Sequence, residues 1–371
     1  MNRRVFLASS AGSALVGCKR QKAIGFPGFA FVTSEGSKRV VAVDLRRFVV
    51  KKPIELDAGP TEVLAHPKAE RVYVLAPENG TVYEINTATL SLNRRLRVAP
   101  SATSMKLSWG GQALWVLSTL SRKLIRVSPE EMRVVGQFSI PPNSTDFDIS
   151  PRKPHAAVSH AQDGAVTLFD VSQAAVSTVV RLGGWPSTVR FRSDGNVLLV
   201  ANVKDRVLTS LQMPGGRVIS SLPLAVRPDN LCFNLDSGQL FVTGEGADAA
   251  VVVYPYPFPE VAETVLAGSD PGPMAASEQY LFITNPRAGD VSIMDIATRK
   301  VIAIAPVGSD PRFVAVTPHS GFALVLNQKS GDMAVIRIGT IRAERNKRAS
   351  VLTMIPVGER PTSATVRVSV A

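Results

Sequence analysis

The sequence predicts a single all-β domain built from repeated antiparallel strands, and three observations support this prediction. Hydrophobic residues make up 45% of the 371 residues and charged residues only 19%, a balance that excludes intrinsic disorder. Short β-rich runs recur at a nearly constant spacing, with polar or glycine-containing turns between them. No segment of useful length has the periodicity of an amphipathic helix.

The N-terminal residues 1–17 predict an export signal. Arg3 and Arg4 come before an apolar run of roughly a dozen residues, which is too short to cross about 30 Å of hydrocarbon. The arginine pair resembles the twin-arginine export signal. Leu15-Val16-Gly17-Cys18 resembles a bacterial lipobox, and this resemblance implies that Cys18 is acylated and becomes the first residue of the mature chain. An ordinary cleaved signal is the alternative.

Acylation at Cys18 implies a membrane partner and a cellular address. Two acyl chains anchor a protein stably where one chain is marginal. Residues 18–28 then form a short, basic, lipidated tether, and no acidic residue follows Cys18 directly. We therefore expect a lipoprotein of the bacterial cell envelope that faces the periplasm, with the outer membrane favoured.

A repeat of hairpins follows the tether. In each unit a second β-run ends ten residues after the first, and a polar turn such as Glu78-Asn79-Gly80 joins the two runs, as in a β-hairpin. A proline-led strand, such as the one after Pro311, precedes most hairpins, and another β-run follows each of them. The first runs end at Ser34, Ala76, Ser118, His160, Asn202, Gly244, Asn285 and Asn327, with spacings of 42 residues except for one of 41.

Four antiparallel strands in each unit of about 42 residues predict the blades of a β-propeller. The first hairpin lacks a proline-led strand before it, and the strand after Pro361 lacks a hairpin after it. Pairing the C-terminal strand into the N-terminal blade would close the ring and remove exposed strand edges. This predicts eight blades. A seven-bladed ring is the alternative if the weak unit around Trp109–Ser128 or the one around Phe241–Tyr254 is not a blade. The predicted blades of the single domain 29–371 are 29–56 with 361–371, 60–98, 100–140, 142–182, 186–225, 228–267, 271–308 and 311–358.

The repeats resemble the YVTN-type bacterial β-propeller family. Leu281-Phe282-Ile283-Thr284-Asn285 and Val291-Ser292-Ile293-Met294-Asp295 carry the resemblance, and Phe241-Val242-Thr243-Gly244 is a diluted copy. The resemblance spans residues 29–371 and implies an extracytoplasmic propeller. It implies no particular function, because the family is functionally mixed.

The composition excludes several kinds of chemistry. Two cysteines cannot form a disulfide framework, a four-cysteine zinc site or an iron–sulfur cluster. The sequence contains no haem-attachment, zinc-protease, serine-hydrolase or phosphate-loop motif. The formal net charge is +12, yet the basic residues are dispersed and aromatic residues make up only 6%, so we expect no nucleic-acid partner. No metal and no cofactor is predicted.

One face of the ring is the candidate ligand-binding face. In propellers, the loops that enter the innermost strands and the turns between the second and third strands share one face, and arginines converging there are suited to clamping carboxylates or phosphates. His160 takes a strand-end position where asparagine is usual and is expected at the rim of this face, whereas His66 and His319 are expected in surface turns. Trp185 is expected either to stack on a planar ligand or to fill a seam between blades. The candidate binding residues are His160, Trp185, Arg227, Arg312 and Arg360.

Two functional hypotheses follow. The first is a non-enzymatic, lipid-anchored propeller that binds a protein or a small-molecule ligand on this face. The second is a cofactor-handling or oxidoreductase-type propeller, because eight-bladed rings resemble the d1-haem domain of cytochrome cd1 nitrite reductase and related maturation proteins. That resemblance implies His160 as an axial ligand of a haem-type cofactor, with Arg227, Arg312 or Arg360 holding propionates. A lactonase-type propeller is a weaker reading, since those rings usually have seven blades.

Overall fold

The computed structural model describes residues 25–173, 175–341 and 348–368. The predicted export signal with Arg3 and Arg4, the predicted acylation site Cys18 and most of the predicted tether lie outside the described residues. Within the described ranges no helix is long and apolar enough to span a membrane. The helices described there are short 3-10 turns at Trp109–Gly111, Pro318–Ser320 and Ile338–Thr340.

The chain is built almost entirely of short β-strands. The strands of its first half are β1 (Gly28–Ser34), β2 (Arg39–Asp44), β3 (Val49–Glu55), β4 (Glu62–Ala65), β5 (Arg71–Ala76), β6 (Thr81–Asn86), β7 (Ser91–Arg97), β8 (Ser104–Leu107), β9 (Leu114–Ser118), β10 (Lys123–Ser128), β11 (Arg133–Ser139), β12 (Ser144–Ile149), β13 (His155–His160), β14 (Ala165–Asp170), β15 (Ala175–Arg181) and β16 (Pro186–Phe191). Those of its second half are β17 (Val197–Asn202), β18 (Val207–Gln212), β19 (Arg217–Pro223), β20 (Asn230–Phe233), β21 (Leu240–Thr243), β22 (Ala249–Tyr254), β23 (Glu260–Leu266), β24 (Met274–Ala276), β25 (Tyr280–Asn285), β26 (Asp290–Asp295), β27 (Lys300–Pro306), β28 (Pro311–Val316), β29 (Phe322–Asn327), β30 (Asp332–Arg337), β31 (Val351–Pro356) and β32 (Pro361–Val368).

These strands form eight antiparallel sheets of four strands each, which confirms the predicted eight-bladed β-propeller. Blade I consists of β1, β2, β3 and β32, and blades II to VIII take the remaining strands four at a time in chain order. The seven-bladed alternative is wrong, because the two units that looked weak in sequence are complete sheets: blade III (β8–β11) and blade VI (β20–β23).

The hydrophobic core lies between neighbouring blades. Successive side chains of a strand point to opposite faces of its sheet, so each blade packs against two others. On β1, Phe31 packs with residues of blade II such as Val72, whereas the next residue, Val32, packs with residues of blade VIII such as Leu324. The second and third strands of blade I are almost wholly buried, while the outermost strand β3 is mostly exposed.

The two ends of the described chain close the ring. β32 pairs with β1 in an antiparallel register that runs from Gly28 opposite Val368 to Thr33 opposite Ser363. The Thr33 hydroxyl donates to the Ser363 carbonyl at 3.0 Å and accepts from the Ser363 N–H at 2.9 Å. The predicted closure is confirmed: β32 pairs with the inner edge of β1 and takes the innermost position of blade I, as β4 does in blade II.

Every blade runs from its innermost to its outermost strand in the same sense, so the ring has two distinct faces. We call the face that carries the loops entering the innermost strands, and the turns between second and third strands, the funnel face. The other face is the base face. Because β1 is the second strand of blade I, the described chain enters the ring at the base face, at Gly28.

Closure by β32 should be essential for stability. Deletion of residues 361–371 leaves blade I with three strands and exposes the inner edge of β1. We expect loss of soluble protein or a fall in melting temperature of at least about 10 °C, measured by thermal unfolding of the purified chain. Deletion of residues 369–371 alone is the control and should leave the melting temperature unchanged. An equally stable protein without β32 would contradict the role assigned to this pairing.

Candidate functional site

Several polar side chains that end second strands hold the funnel-face loops in place instead of lining a ligand surface. Asn202 Nδ2 donates to the Gly183 carbonyl at 3.2 Å, and its Oδ1 accepts from the Trp185 N–H at 2.8 Å. The Ser118 hydroxyl donates to the Ser101 carbonyl at 2.7 Å in the same position of blade III. Each of these buried side chains ties a strand end to the loop that enters the same blade.

His160 takes the corresponding strand-end position in blade IV and does not line the funnel face. It is completely buried, its Nδ1 lies 3.1 Å from the Ser144 hydroxyl, and its Nε2 lies 2.8 Å from the Thr167 hydroxyl. Burial lowers the pKa of His160, against a smaller opposing effect of Asp163, which favours the neutral ring. The expectation of a histidine at the rim is therefore corrected, because both ring nitrogens are engaged inside the blade.

The other three histidines lie in turns of the base face. His66, expected to be a surface residue, is buried, and its Nδ1 accepts from the Lys68 and Ala69 N–H groups at 3.1 and 2.8 Å. His155 begins β13, and His319 lies in the 3-10 turn Pro318–Ser320. All four histidines of the chain are among the described residues, and none offers a free nitrogen to the funnel face. On the funnel face the described residues therefore do not fit a haem held by an axial histidine.

A cavity of about 460 Å³ lies among the innermost strands of blades IV to VII. We call it the channel cavity. Its walls combine charged, polar and small apolar side chains, including a cysteine: Thr145, Asp146, Ser187, Thr188, Arg190, Asp229, Asn230, Leu231, Cys232, Pro273 and Met274 line it. Desolvation raises the pKa of the Cys232 thiol to about 11, so this group is protonated at neutral pH and is a weak nucleophile.

A charged network holds the innermost strands of blades III, IV and V together beside this cavity. Lys106 Nζ lies 3.1 Å from Asp148 Oδ1, and Arg190 Nη1 lies 2.7 Å from Asp146 Oδ2. Asp148 also accepts from the Phe191 N–H at 2.7 Å, so a carboxylate of one blade binds the backbone of the next. Desolvation acts to raise the pKa of Asp146. The charges of Lys106 and Arg190 outweigh this effect, so the pKa is lowered.

Glu62 makes the same kind of link between blades II and III, but without a directly paired cation. Its Oε2 accepts from the Met105 N–H at 2.6 Å. Desolvation raises the pKa of Glu62 to about 7, because this hydrogen bond and the more distant Lys106 charge compensate only part of the burial. Glu62 is thus a group deep in the ring that changes charge near neutral pH.

A second recess opens on the funnel face next to the channel cavity and has a volume of about 560 Å³. We call it the Trp185 recess. Trp185 is 48% exposed and lies in its wall with Lys204 and Arg227, so the indole does not fill a seam between blades. Gly184 makes this placement possible: its φ is +58°, and a Cβ there would lie 2.2 Å from Asp205 Oδ2. The remaining lining residues are Ser187, Val203 and Asp229.

Asp229 lies at the junction of three hollows. It lines the channel cavity, the Trp185 recess and a further recess of about 510 Å³ that contains Arg312. Desolvation, together with the charges of Glu245 and Asp146, raises the pKa of Asp229. The three hollows therefore form one continuous surface that leads from the rim into the channel.

The structure brings only part of the predicted arginine set together. Arg227 shares a recess with Trp185, Arg312 lies in the neighbouring recess, and Arg360 lies in a separate groove between blades VIII and I. Each is paired with a carboxylate on the same face, at 3.4 Å to Glu245, 2.9 Å to Asp310 and 3.1 Å to Glu35 respectively. Such exposed pairs contribute about 0–1 kcal/mol each, so a ligand carboxylate can replace the partner at small cost.

The sequence-based reasoning missed the channel residues. Glu62, Lys106, Asp146, Asp148 and Arg190 all lie on innermost strands, where their charge was a usable signal, because a charged residue in a short buried strand needs a partner. Among the described residues, no group of three or more His, Cys, Asp and Glu side chains is arranged to hold a metal ion.

Comparisons with known proteins agree with this architecture. No family model and no curated protein matches the chain, so the resemblance to YVTN-type repeats rests on the quoted motifs. Among solved structures, the chain is similar to dihydro-heme d1 dehydrogenase NirN in complex with DHE, with a TM-score of 0.74 and 13% identity over 91% of this chain and 75% of that one.

Two further structures are similar. A functionally unknown protein from Desulfotomaculum acetoxidans DSM 771 has a TM-score of 0.65 and 13% identity over 91% of this chain and 98% of that chain. Kuenenia stuttgartiensis hydrazine synthase has a TM-score of 0.59 and 16% identity over 75% of this chain and 95% of that chain. At these identities the likeness shows the fold alone, that of a β-propeller.

Replacement of Glu62 should reveal its titration. Its pKa in the folded chain, about 7, lies above its ordinary value of 4.5, so the folded state binds more protons and stability falls as pH rises through this interval. Glu62→Gln keeps an oxygen for the Met105 N–H and cannot ionise. We expect its melting temperature to exceed that of the wild type by at least about 3 °C at pH 8 and to match it at pH 4, below both pKa values.

The control for this measurement is Glu55→Gln, which changes an exposed carboxylate on β3 and should not alter the melting profile. If the melting temperatures of Glu62→Gln and the wild type differ by the same amount at every pH in this range, the raised pKa of Glu62 is contradicted.

Proposed function

We propose that this protein is a non-enzymatic binding propeller of the cell envelope that takes a small, planar, carboxylate-bearing molecule on its funnel face. The observation that carries this proposal is the Trp185 recess. A half-exposed indole lies there beside two exposed cationic side chains, at the mouth of the channel cavity.

The chemistry of the recess favours this ligand class. An exposed tryptophan offers a large flat surface for an aromatic ring, with stacking worth about 0.5–1.5 kcal/mol beyond the buried area. Lys204 and Arg227 offer charge-assisted hydrogen bonds to carboxylates, and the Arg227 guanidinium can bind one in a two-pronged manner. The Trp185 N–H donates to Asn202, so the backbone that carries the indole is fixed to the end of β17.

A binding role is favoured over catalysis by the groups that line the channel cavity. Asp146 and Arg190 are engaged with each other, and the Cys232 thiol is protonated at neutral pH. The eight-bladed ring also gives no support to a lactonase-type reading.

A haem-type ligand is the second candidate, and the structural likeness to NirN in complex with DHE favours it. DHE is bound by that protein, and at 13% identity the binding mode is not transferred to this chain. Because His160 is buried within blade IV, a tetrapyrrole would have to be held here by stacking on Trp185 and by its carboxylates rather than by an axial histidine.

The cellular address forms part of this proposal. We propose that Cys18 carries the lipid anchor and that the chain is exported to the periplasmic side of the envelope by the signal containing Arg3 and Arg4. The support for this is the match of Leu15-Val16-Gly17-Cys18 to a lipobox in register with the apolar run.

Ligand binding can be tested with tryptophan fluorescence, because two exposed tryptophans lie on opposite faces. Trp185 is on the funnel face, and Trp109, 79% exposed, is on the base face. Titration with metal-free protoporphyrin IX and with haem should quench the fluorescence of the wild type and of Trp109→Phe. Trp185→Ala should bind at least about tenfold more weakly, consistent with loss of one stacking contact.

Two outcomes would separate the alternatives. Binding of both tetrapyrroles would support carboxylate recognition and stacking, whereas binding of haem alone would require an iron ligand and would contradict recognition by carboxylates and stacking alone. Equal affinity of Trp185→Ala and Trp109→Phe for every probe would contradict the proposed site.

The anchor is tested by fractionation of cells that express the full-length protein. We expect the wild type in the membrane fraction and Cys18→Ala in the soluble fraction, because the acyl chains supply stable attachment. Cys232→Ala is the matched control, since it removes the other cysteine of the chain, and it should stay with the membrane. Unchanged fractionation of Cys18→Ala would refute the lipobox assignment.

A further inference from the structure

We propose that the segment Arg46–Lys52 of blade I is a membrane-contact patch that docks on an anionic lipid surface and holds the funnel face away from the membrane. The orientation of the funnel face rests on the proposed lipid anchor at Cys18. The affinity of the patch for anionic lipid is independent of that anchor. We call this segment the blade I patch.

The composition and exposure of the patch fit a lipid surface. Arg46, Arg47, Lys51 and Lys52 are all exposed, and no acidic residue lies between Asp44 and Glu55. Between the two basic pairs, Val49 and Val50 are 48% and 41% exposed. Cations that flank exposed apolar side chains match a bilayer interface, where anionic headgroups lie above the acyl chains.

The turn that carries the patch is firmly held. Asp44 Oδ1 accepts from the Arg46 and Arg47 N–H groups at 2.8 and 3.3 Å. Phe48 packs edge-on against Phe322, with ring centroids 5.2 Å apart. The aromatic ring is thus anchored against the neighbouring blade, while the basic residues beside it stay exposed.

The N-terminal chain leaves the ring against this same turn. The Phe26 N–H donates to the Leu45 carbonyl at 3.0 Å, and a Cβ on Gly25 would lie 2.2 Å from the same oxygen. Cys18 precedes Gly25 by seven residues (25 − 18 = 7), which span at most about 25 Å when fully extended. An acyl anchor at Cys18 therefore keeps the base face of blade I within one tether length of the membrane.

Such a short tether makes the patch effective. Attraction between a basic side chain and an anionic surface falls off within a Debye length, about 8–10 Å at moderate salt, which a chain of this length allows the patch to reach. Each basic residue near the surface strengthens binding by about fivefold. The funnel face, on the other side of the ring, then points toward the periplasm and its ligands.

Co-flotation with vesicles tests the patch independently of acylation. The probe is the mature chain from residue 18 with Cys18→Ser, mixed at low ionic strength with vesicles of phosphatidylcholine alone or with added phosphatidylglycerol. We expect binding that depends on phosphatidylglycerol and weakens with salt. Arg46→Glu with Arg47→Glu should reduce it at least about tenfold.

The matched control reverses two exposed charges on the funnel face, Lys38→Glu with Arg122→Glu, and should bind like the wild type. The basic residues of the tether are the same in every variant, so they do not account for a difference between the two pairs. Equal losses of vesicle binding in the two double variants, or equal binding with and without phosphatidylglycerol, would contradict the proposed membrane-contact patch.

Orientation is measured on the lipidated protein with a nitroxide at Val49→Cys or at Lys38→Cys. Both variants also carry Cys232→Ala, because Cys232 is only partly buried in the wall of the channel cavity. On anionic vesicles the label at residue 49 should lie at the lipid surface and the label at residue 38 in bulk water. If the protein floats with the vesicles while both labels stay in water, the docking of the patch is contradicted and the lipid anchor is supported. Loss of flotation of the lipidated chain would instead count against the anchor itself.

Discussion

The structure depends on packing between neighbouring blades, and that packing is complete only because β32 pairs with β1. Each sheet buries apolar side chains on both faces, so a terminal blade without a neighbour would expose one of them. Closure of the ring supplies the missing neighbour and, through β32, pairs the inner edge of β1. The stability of every blade is therefore tied to a contact between residues more than 300 positions apart in sequence.

Polar groups complete the ring where apolar packing ends. Where the second strands end, buried side chains such as Asn202 and His160 bind the loops or strands around them. Near the axis, Glu62, Asp146 and Asp148 accept hydrogen bonds from the backbone of the next blade. Buried polar groups need such partners, so the same contacts that satisfy them also fix the spacing of the blades.

The candidate site depends on the ring that these apolar and polar contacts build. The repeated strands build the ring, whereas residues that are not repeated from blade to blade give the Trp185 recess and the channel cavity their chemistry. On the funnel face Arg227, Arg312 and Arg360 each pair with a carboxylate, whereas the blade I patch has no acidic residue of its own. A ligand-facing side and a membrane-facing side can therefore coexist on one fold.

The sequence by itself determined the fold to the level of blade number, strand order and closure, because each depends on local patterns repeated at a fixed spacing. It also predicted that Trp185 and Arg227 lie on the same face of the ring, since the loop positions follow from that order. It misjudged His160, because a strand-end position is the same in sequence whether its side chain turns outward or into the blade. The charged network of the channel was decided only by the tertiary structure, because residues about 43 positions apart become neighbours when the blades are arranged around one axis.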